Sequence, residues 1–395
     1  MLKTVLFISY WFPPCSSIGG ALRSSKFVKY LPEFGWEPFV LSLKEEDFEY
    51  SDNKTSVRIP TSLNAVSHYN LTPYDWAWNI FKRARKVTSG HTIRLIYVSC
   101  PPYAPAIAAL RLKKQTKLPL VIDYRDAWTL NPLPDKRRVG RLLNNKAFPI
   151  IEKMMLTSAD LFVTNTPSMR EAYQICYPKI ADKIHVVTNG FDETDFVSIK
   201  NSDKSSDKMT LLHCGRMGVS GRDPTIIFHS IKKLSELGYQ IQLVLLGEDI
   251  DSIRHQVAAQ GADEYIRILG KVDHKQAIRQ MFTSDVLVVF QNKSKQSTVS
   301  AVAGKTYEYL RTGKPVLAIA PKGDNVDLVE EYAQRYEVVS SYLENDIIRA
   351  ISRLYEDWRK GLLSEHNSPN YDYIRTFNRR ALSKDLAMLF DSLIT

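Results

Sequence analysis

Three cations and one carboxylate carry the chemistry most open to reading. Between a predicted strand, Met209 to His213, and a predicted helix starting near Asp223 runs Cys214-Gly215-Arg216-Met217-Gly218-Val219-Ser220-Gly221-Arg222. Its glycines let backbone N–H groups approach a ligand, and guanidinium forks match phosphate oxygens. Arg216 and Arg222 therefore read as a diphosphate cradle or, more plainly, as loop and surface ion pairs. Further on, the small residues Ser300 to Gly304 precede a predicted helix, Lys305 to Arg311, so free N–H groups would point into the loop. That geometry suits a phosphate, with Lys305 as a third cation. Gly304-Lys305-Thr306 is not a P-loop, because Val299 stands where the first glycine would be. Glu308 lies about one turn inside this helix, where it could accept two hydrogen bonds from a vicinal diol such as a ribose, or stand as a solvated helix glutamate.

A second constellation follows the predicted strand Leu118 to Asp123, namely Asp123-Tyr124-Arg125-Asp126-Ala127-Trp128. Doubly wound sheets gather ligands at the carboxyl ends of their strands. Asp126 could orient or deprotonate a hydroxyl, and Arg125 could hold an acidic group or Asp126 itself. The alternative is an Arg–Asp pair that ties a loop down.

The elements that must position these residues alternate in type. Thr4–Ser9, Pro38–Leu43, Leu95–Ser99, Leu118–Asp123 and Leu161–Thr164 are short apolar runs separated by helical patterns, and the alternation resumes at Met209, Ile241, Ile266, Asp285 and Val316. Such runs fit parallel strands buried on both faces, hence an α/β fold. The first strand leads through Pro13, Pro14 and Gly19-Gly20 into a helix from about Ala21 to Phe34, stopped by Gly35. It carries no G-x-G-x-x-G, so it is not a dinucleotide fingerprint. Residues 44 to 90 read as polar, irregular loop and helix insertions whose aromatics could meet a second substrate. Gly313 and Pro315 close the helix after Arg311. The polar stretch 201–208 marks a boundary, giving domains at 1–200 and 201–370, with a terminal helix in 371–395.

At 395 residues and 44% hydrophobic content, two domains with full cores are expected. There is no apolar run of the roughly 18 residues that suggests a membrane span, and the prolines interrupt the start too early for a signal peptide, so a cytoplasmic location is expected. The four cysteines are scattered, which indicates neither a disulfide framework nor a zinc site. Nearly all of the formal +10 charge lies in the first half, in Lys82 to Lys86, Arg111 to Lys117 and Lys136 to Arg141. These clusters suit an anionic membrane surface, at roughly 1 kcal/mol per well-placed charge, or are solvated helix faces. The aromatic platforms of a single-strand nucleic-acid binder do not accompany them.

Several of these segments together resemble the retaining GT-B glycosyltransferases of the family 4 or group 1 type. They are the Gly19-Gly20 loop, the Ser99-Cys100-Pro101-Pro102 and Arg125-Asp126-Ala127-Trp128 strand ends, the Asn189-Gly190-Phe191-Asp192 turn, Gly215-Arg216, and Glu308 followed by Gly313-Lys314-Pro315. The resemblance covers almost the whole chain. It implies two Rossmann-like doubly wound domains facing a central cleft, with the C-terminal helix crossing back to the first domain. The first domain would bind the acceptor through Arg125, Asp126 and Trp128. The second would bind a nucleotide-sugar through Gly215, Arg216, Arg222, Val272, Ser300, Gly304, Lys305, Thr306 and Glu308, aided by Gly19 and Gly20. In this pattern Glu308 takes the ribose, and the loop at Val272 holds the base through backbone atoms, so His274 is a helix N-terminal residue rather than a catalyst. Arg216, Arg222 and Asp126 would act in catalysis.

Two positions depart from the family pattern. Ser300 stands where the family has its first glutamate, and Arg222 stands near the place of a lysine. The implied activity is transfer of a sugar from a nucleoside diphosphate to a glycan or lipid-linked acceptor in surface polysaccharide biosynthesis. Configuration would be retained, and no metal or cofactor is expected. The alternatives are a nucleotide-sugar epimerase of the same fold and a non-catalytic nucleotide- or glycan-binding protein.

Overall fold

The computed structural model describes residues 2–13, 19–43, 56–59, 72–130, 146–197, 207–215, 217, 223–247, 250–291, 301–365 and 368–394. They form two compact units, 2–189 with 379–394 and 190–291 with 301–378.

The first unit holds one parallel sheet of β1 (Lys3–Ser9), β2 (Trp36–Leu43), β3 (Ser56–Ile59), β4 (Ile93–Cys100), β5 (Leu120–Tyr124), β6 (Leu161–Thr164) and β7 (Ile184–Val186), ordered β3-β2-β1-β4-β5-β6-β7. Alternate residues of β1, β4 and β5 feed opposite cores, as the period of two demands. Leu6, Ile8, Val98 and Ile122 face the helices Thr72–Gly90, Ala104–Thr116 and Phe148–Ser158. Val5, Phe7, Tyr97 and Val121 face the helix Gly19–Tyr30 and the final helix, Arg379–Asp391, through Phe27, Leu382, Leu386 and Phe390.

Within 44–90 the described residues are 56–59 and 72–90. They contribute β3, paired in parallel with β2, and the helix Thr72–Gly90. Trp76, Ile80, Ala84 and Val87 recur at helical spacing and are buried against the sheet, so Trp76 is core and not a substrate contact.

The second unit holds a six-stranded parallel sheet of β8 (Met209–Cys214), β9 (Ile241–Leu246), β10 (Ile266–Gly270), β11 (Val286–Phe290), β12 (Val316–Ile319) and β13 (Tyr336–Val339), ordered β10-β9-β8-β11-β12-β13. Gly313 ends the helix Gly304–Thr312 at φ 73°, and a Cβ there would lie 2.5 Å from the Ser368 carbonyl carbon, so only glycine fits.

The terminal segment is two helices, not one. Asn378 is extended (φ −67°, ψ 131°) and separates Tyr371–Phe377 from Arg379–Asp391. The break has a partner: the Phe191 N–H donates to the Phe377 carbonyl at 3.2 Å beside an isolated bridge between Phe191 and Asn378. Tyr373 and Phe377 pack into the second unit, whereas the helix beyond Asn378 belongs to the first.

Beneath the carboxyl ends of the first sheet lies a buried ion pair. Arg23, fully buried, donates Nε to Asp123 Oδ2 at 2.8 Å and Nη2 to Oδ1 at 3.0 Å, and also meets the Val187 and Thr188 carbonyls at 2.7 and 2.8 Å. The Tyr97 hydroxyl donates to the same carboxylate. Removing one partner strands a buried charge, whereas replacing both with apolar groups need not. Arg23→Met should cost about 3–5 kcal/mol in urea unfolding, with Arg23→Met/Asp123→Leu regaining part of that loss. A single mutant as stable as the parent would contradict the role given to this pair.

Candidate functional site

In the second sheet the strand order reverses between β8 and β11, where an open α/β sheet leaves a crevice at its carboxyl edge. Backbone dominates there. Gly215, at φ 105°, donates its N–H to the Leu246 carbonyl at 2.7 Å, and Gly247 donates to Gly270 at 2.6 Å. A Cβ on Gly247 would stand 3.2 Å from the Gly215 nitrogen, so the ends of β8 and β9 meet this closely only without side chains.

The helix Gly304–Thr312 delivers its first residues to this edge. Lys305 Nζ donates to the Cys214 carbonyl at 2.5 Å and meets His213 Nε2 at 2.8 Å. His213 is fully buried, with Nδ1 2.9 Å from the Val288 carbonyl. Since that carbonyl can only accept, Nδ1 is assigned the proton and Nε2 accepts from the ammonium. Tyr309 adds a second tie, its hydroxyl accepting the Cys214 N–H at 2.8 Å. Burial pushes the Tyr309 phenol well above its ordinary range and the Cys214 thiol up to about 12, so both stay neutral.

Ala303, at the N-cap, makes no side-chain capping bond, and a Cβ on Gly304 would meet nothing within 4 Å. Thr306 is buried, and among the described residues its Oγ1 has no hydrogen-bond partner. Asn325 shares that state with both amide atoms, at the start of the helix Asp324–Tyr332 that follows β12. Glu308 is not simply solvated, because its Oε1 lies 2.7 Å from His274 Nε2, and His274 Nδ1 lies 3.7 Å from Asp195. His274 is the first residue of the helix His274–Thr283, capped by Asp273, whose carboxylate accepts the Gln276 N–H at 2.8 Å. Val272 sits half-buried in the loop just before it. Five of the expected residues, Gly215, Gly304, Lys305, Thr306 and Glu308, thus lie at or near one sheet edge. Arg216, Arg222 and Ser300 lie outside the described residues.

In the first unit, Gly19 and Gly20 open the helix Gly19–Tyr30. Past β5, Asp123 turns inward to Arg23, while Asp126 is exposed. Arg125 donates Nη2 to the Pro101 carbonyl at 2.7 Å, and no ion pair joins it to Asp126 among the described residues. Trp128 stacks on Tyr103 at 4.6 Å and 4°, and the Tyr103 hydroxyl donates to the Asp126 carbonyl at 2.9 Å. Behind this loop the buried Glu152 accepts from Thr129 Oγ1 and from the Tyr173 hydroxyl at 2.7 Å, and Tyr173 in turn accepts the Trp128 N–H at 3.1 Å. Burial raises the Glu152 carboxyl above its ordinary value. Glu152, Tyr103 and Arg23 escaped the sequence reading. A helical glutamate or arginine looks solvent-facing until its remote partner is known.

Among the described residues no group of three or more His, Cys, Asp and Glu side chains could hold a metal ion, and no helix is long and apolar enough to cross a membrane.

The family Glycosyltransferase Family 4 matches residues 19–195, and the family Glycosyl transferases group 1 matches residues 196–368. The chain belongs to the GT-B glycosyltransferases of this family 4 and group 1 type. Solved structures agree on the fold. A sucrose-phosphate synthase from Thermosynechococcus elongatus aligns with TM-score 0.74 at 15% identity, covering 99% of each chain. Anabaena HepE in complex with UDP aligns at 0.62 and 17%, covering 99% of this chain and 100% of that one. A putative UDP-N-acetylglucosamine 2-epimerase from Listeria monocytogenes aligns at 0.64 and 12%, covering 99% and 96%. No curated protein matches the chain in a sequence search.

In this glycosyltransferase Thr306 gives a clean probe, because a buried hydroxyl without a partner costs roughly 1–3 kcal/mol. Thr306→Val keeps the shape and removes the hydroxyl. If ligand phosphate supplies the missing partner, thermal stability without ligand should hold or rise while nucleotide affinity falls about tenfold. Loss of stability with unchanged affinity would give Thr306 a purely structural role.

Proposed function

We propose that the carboxyl edge of the second sheet binds a nucleoside-diphosphate sugar and that the enzyme moves the sugar to a glycan or lipid-linked acceptor. The observation that carries the reading is Lys305, its ammonium anchored on the Cys214 carbonyl at the end of β8, next to Gly215. The likeness to a UDP-bound structure supports a nucleotide donor. Departure of the sugar builds negative charge on the β-phosphate, and Arg216, Arg222 and Lys305 are cations suited to stabilise it without a metal. Glu308 takes the ribose diol, exchanging its His274 partner or sharing it, and Val272 lies in the loop that holds the base.

Asp126, with its exposed carboxylate beside the Tyr103 and Trp128 stack, orients the acceptor hydroxyl, with Arg125 and Trp128 lining the same strand end. In this reading Gly19 and Gly20 are donor-binding residues. With the departing phosphate assisting attack from its own face, the product keeps the donor's anomeric configuration. Ser300 makes a weaker sugar contact than a glutamate would, so sugar recognition leans on backbone. Surface polysaccharide assembly is the proposed setting, in the cytoplasm.

A second reading, nucleotide-sugar epimerisation, is favoured by the likeness to a putative 2-epimerase, and it needs no acceptor. Arg216→Ala separates the roles. Hydrogen bonds to charged groups contribute about 1.5–3 kcal/mol, so kcat/KM for transfer should fall about 10- to 150-fold, with the fold intact by circular dichroism. Unchanged transfer would remove Arg216 from the site, and sugar isomerisation without any acceptor would favour the second reading.

A further inference from the structure

Three helices lie side by side on one face of the first sheet, Thr72–Gly90 against Ala104–Thr116 and the latter against Phe148–Ser158. Lys113 stitches the last two together, donating to the Ser158 carbonyl at 2.8 Å and pairing with Asp160 at 2.6 Å. Their outward side has an unusual composition. Lys82, Arg83, Arg85 and Lys86 on the first helix, Arg111 and Lys114 on the second, and Lys153 on the third are all exposed. Against these cations the three helices carry two acids, Asp75 in the opening turn of the first and Glu152, which is fully buried. Ordinary solvated faces intersperse both signs.

Large apolar side chains share this side. Trp78 is 47% exposed, Ile150 71% and Met154 44%. Lys82 Nζ and Arg111 Cζ lie 5.4 and 5.2 Å from the Trp78 ring, so cations from two helices bracket one indole. Trp78, Lys82, Arg85 and Lys86 recur at helical spacing on one stripe, and Ile150 and Met154 lie one turn apart on theirs. An indole flanked by lysine and arginine stems is the side-chain combination that settles at a headgroup boundary, with the ring in the acyl region and the charges at the phosphates. A nucleic acid would match the charge, but it offers Ile150 and Met154 nothing to bury in.

We propose that this three-helix face docks the enzyme on an anionic lipid bilayer, with Trp78, Ile150 and Met154 at headgroup depth and the basic residues on lipid phosphates. The inference deepens the lipid-linked acceptor part of the proposed function, since it would hold the enzyme where such an acceptor resides. No covalent step is involved.

The test is co-sedimentation of the full chain with phosphatidylglycerol–phosphatidylcholine vesicles and with pure phosphatidylcholine vesicles, at low and high salt. Binding should require the anionic lipid and weaken with salt. Lys82→Gln/Arg85→Gln/Lys86→Gln/Arg111→Gln should lower the partition coefficient about fivefold per charge removed. Trp78→Ala should lower it about tenfold with the charge unchanged. Lys233→Gln/Lys360→Gln, on exposed lysines of the second unit, should leave it alone. Circular dichroism melting of each variant confirms that the fold is kept.

Equal binding to both vesicle types would overturn the proposal, as would a quadruple variant that binds like the parent or equal losses in the control variant. Preference for a single-stranded oligonucleotide over the vesicles would overturn it too. Nucleotide binding, measured in parallel, separates the two readings. A protein that binds vesicles but no nucleotide loses the donor-site reading and keeps this one, and the reverse result removes this one alone.

Discussion

His213 is a buried residue of β8 that reaches the neighbouring β11, and its hydrogen bonds decide what the crevice in the second sheet can do. The Val288 carbonyl takes one side of the imidazole and thereby leaves the other ring nitrogen as an acceptor for Lys305. A flexible four-carbon lysine is thus aimed at the Cys214 carbonyl, where β8 gives way to glycine. A neutral imidazole and a carbonyl orient an ammonium without cancelling its charge, which is what an anion site needs from a lysine. The same helix is fixed a second time by Tyr309 on the Cys214 N–H. Position is therefore set by β8, and the helix Gly304–Thr312 follows it.

The first unit solves its own positioning problem with buried charge. Arg23 gathers Asp123 and the carbonyls of Val187 and Thr188, linking the first helix to the ends of β5 and β7. Glu152 does comparable work one layer away, holding Thr129 directly and Trp128 through Tyr173. Asp126 and Trp128 consequently sit on a loop braced from behind, and the exposed carboxylate of Asp126 is left to face outward. Both devices replace solvent with a complete shell of protein donors and acceptors, without which buried charges would be costly.

How much of this was readable in sequence depended on range. Strands such as Ile241–Leu246 and Val286–Phe290 were legible because burial on both faces demands a short, nearly continuous apolar run, a local signal. Gly313 announced the end of its helix for an equally local reason, its positive φ. Lys305 and Glu308 were legible as candidates from their place near a glycine-led helix start. Their partners His213 and His274 were not, because each pairing joins residues from distant parts of the chain. Arg23 reads as one more polar residue on a helix until Asp123 is brought beneath it. A helix within 44–90 was expected, but its bounds were not, and Trp76, grouped with aromatics that could meet a second substrate, is core. The break at Asn378 carries no glycine or proline, and only its bridge to Phe191 explains it.

The most direct test of the central claim is calorimetric titration of the intact protein with UDP, GDP and ADP and their common sugar conjugates, first without and then with magnesium, repeated on Lys305→Met. The account predicts that one nucleotide binds the parent without needing the metal and that the variant, still folded, loses about tenfold or more in affinity. Failure of a demonstrably folded parent to bind any of them, or binding that Lys305→Met leaves untouched, would contradict it.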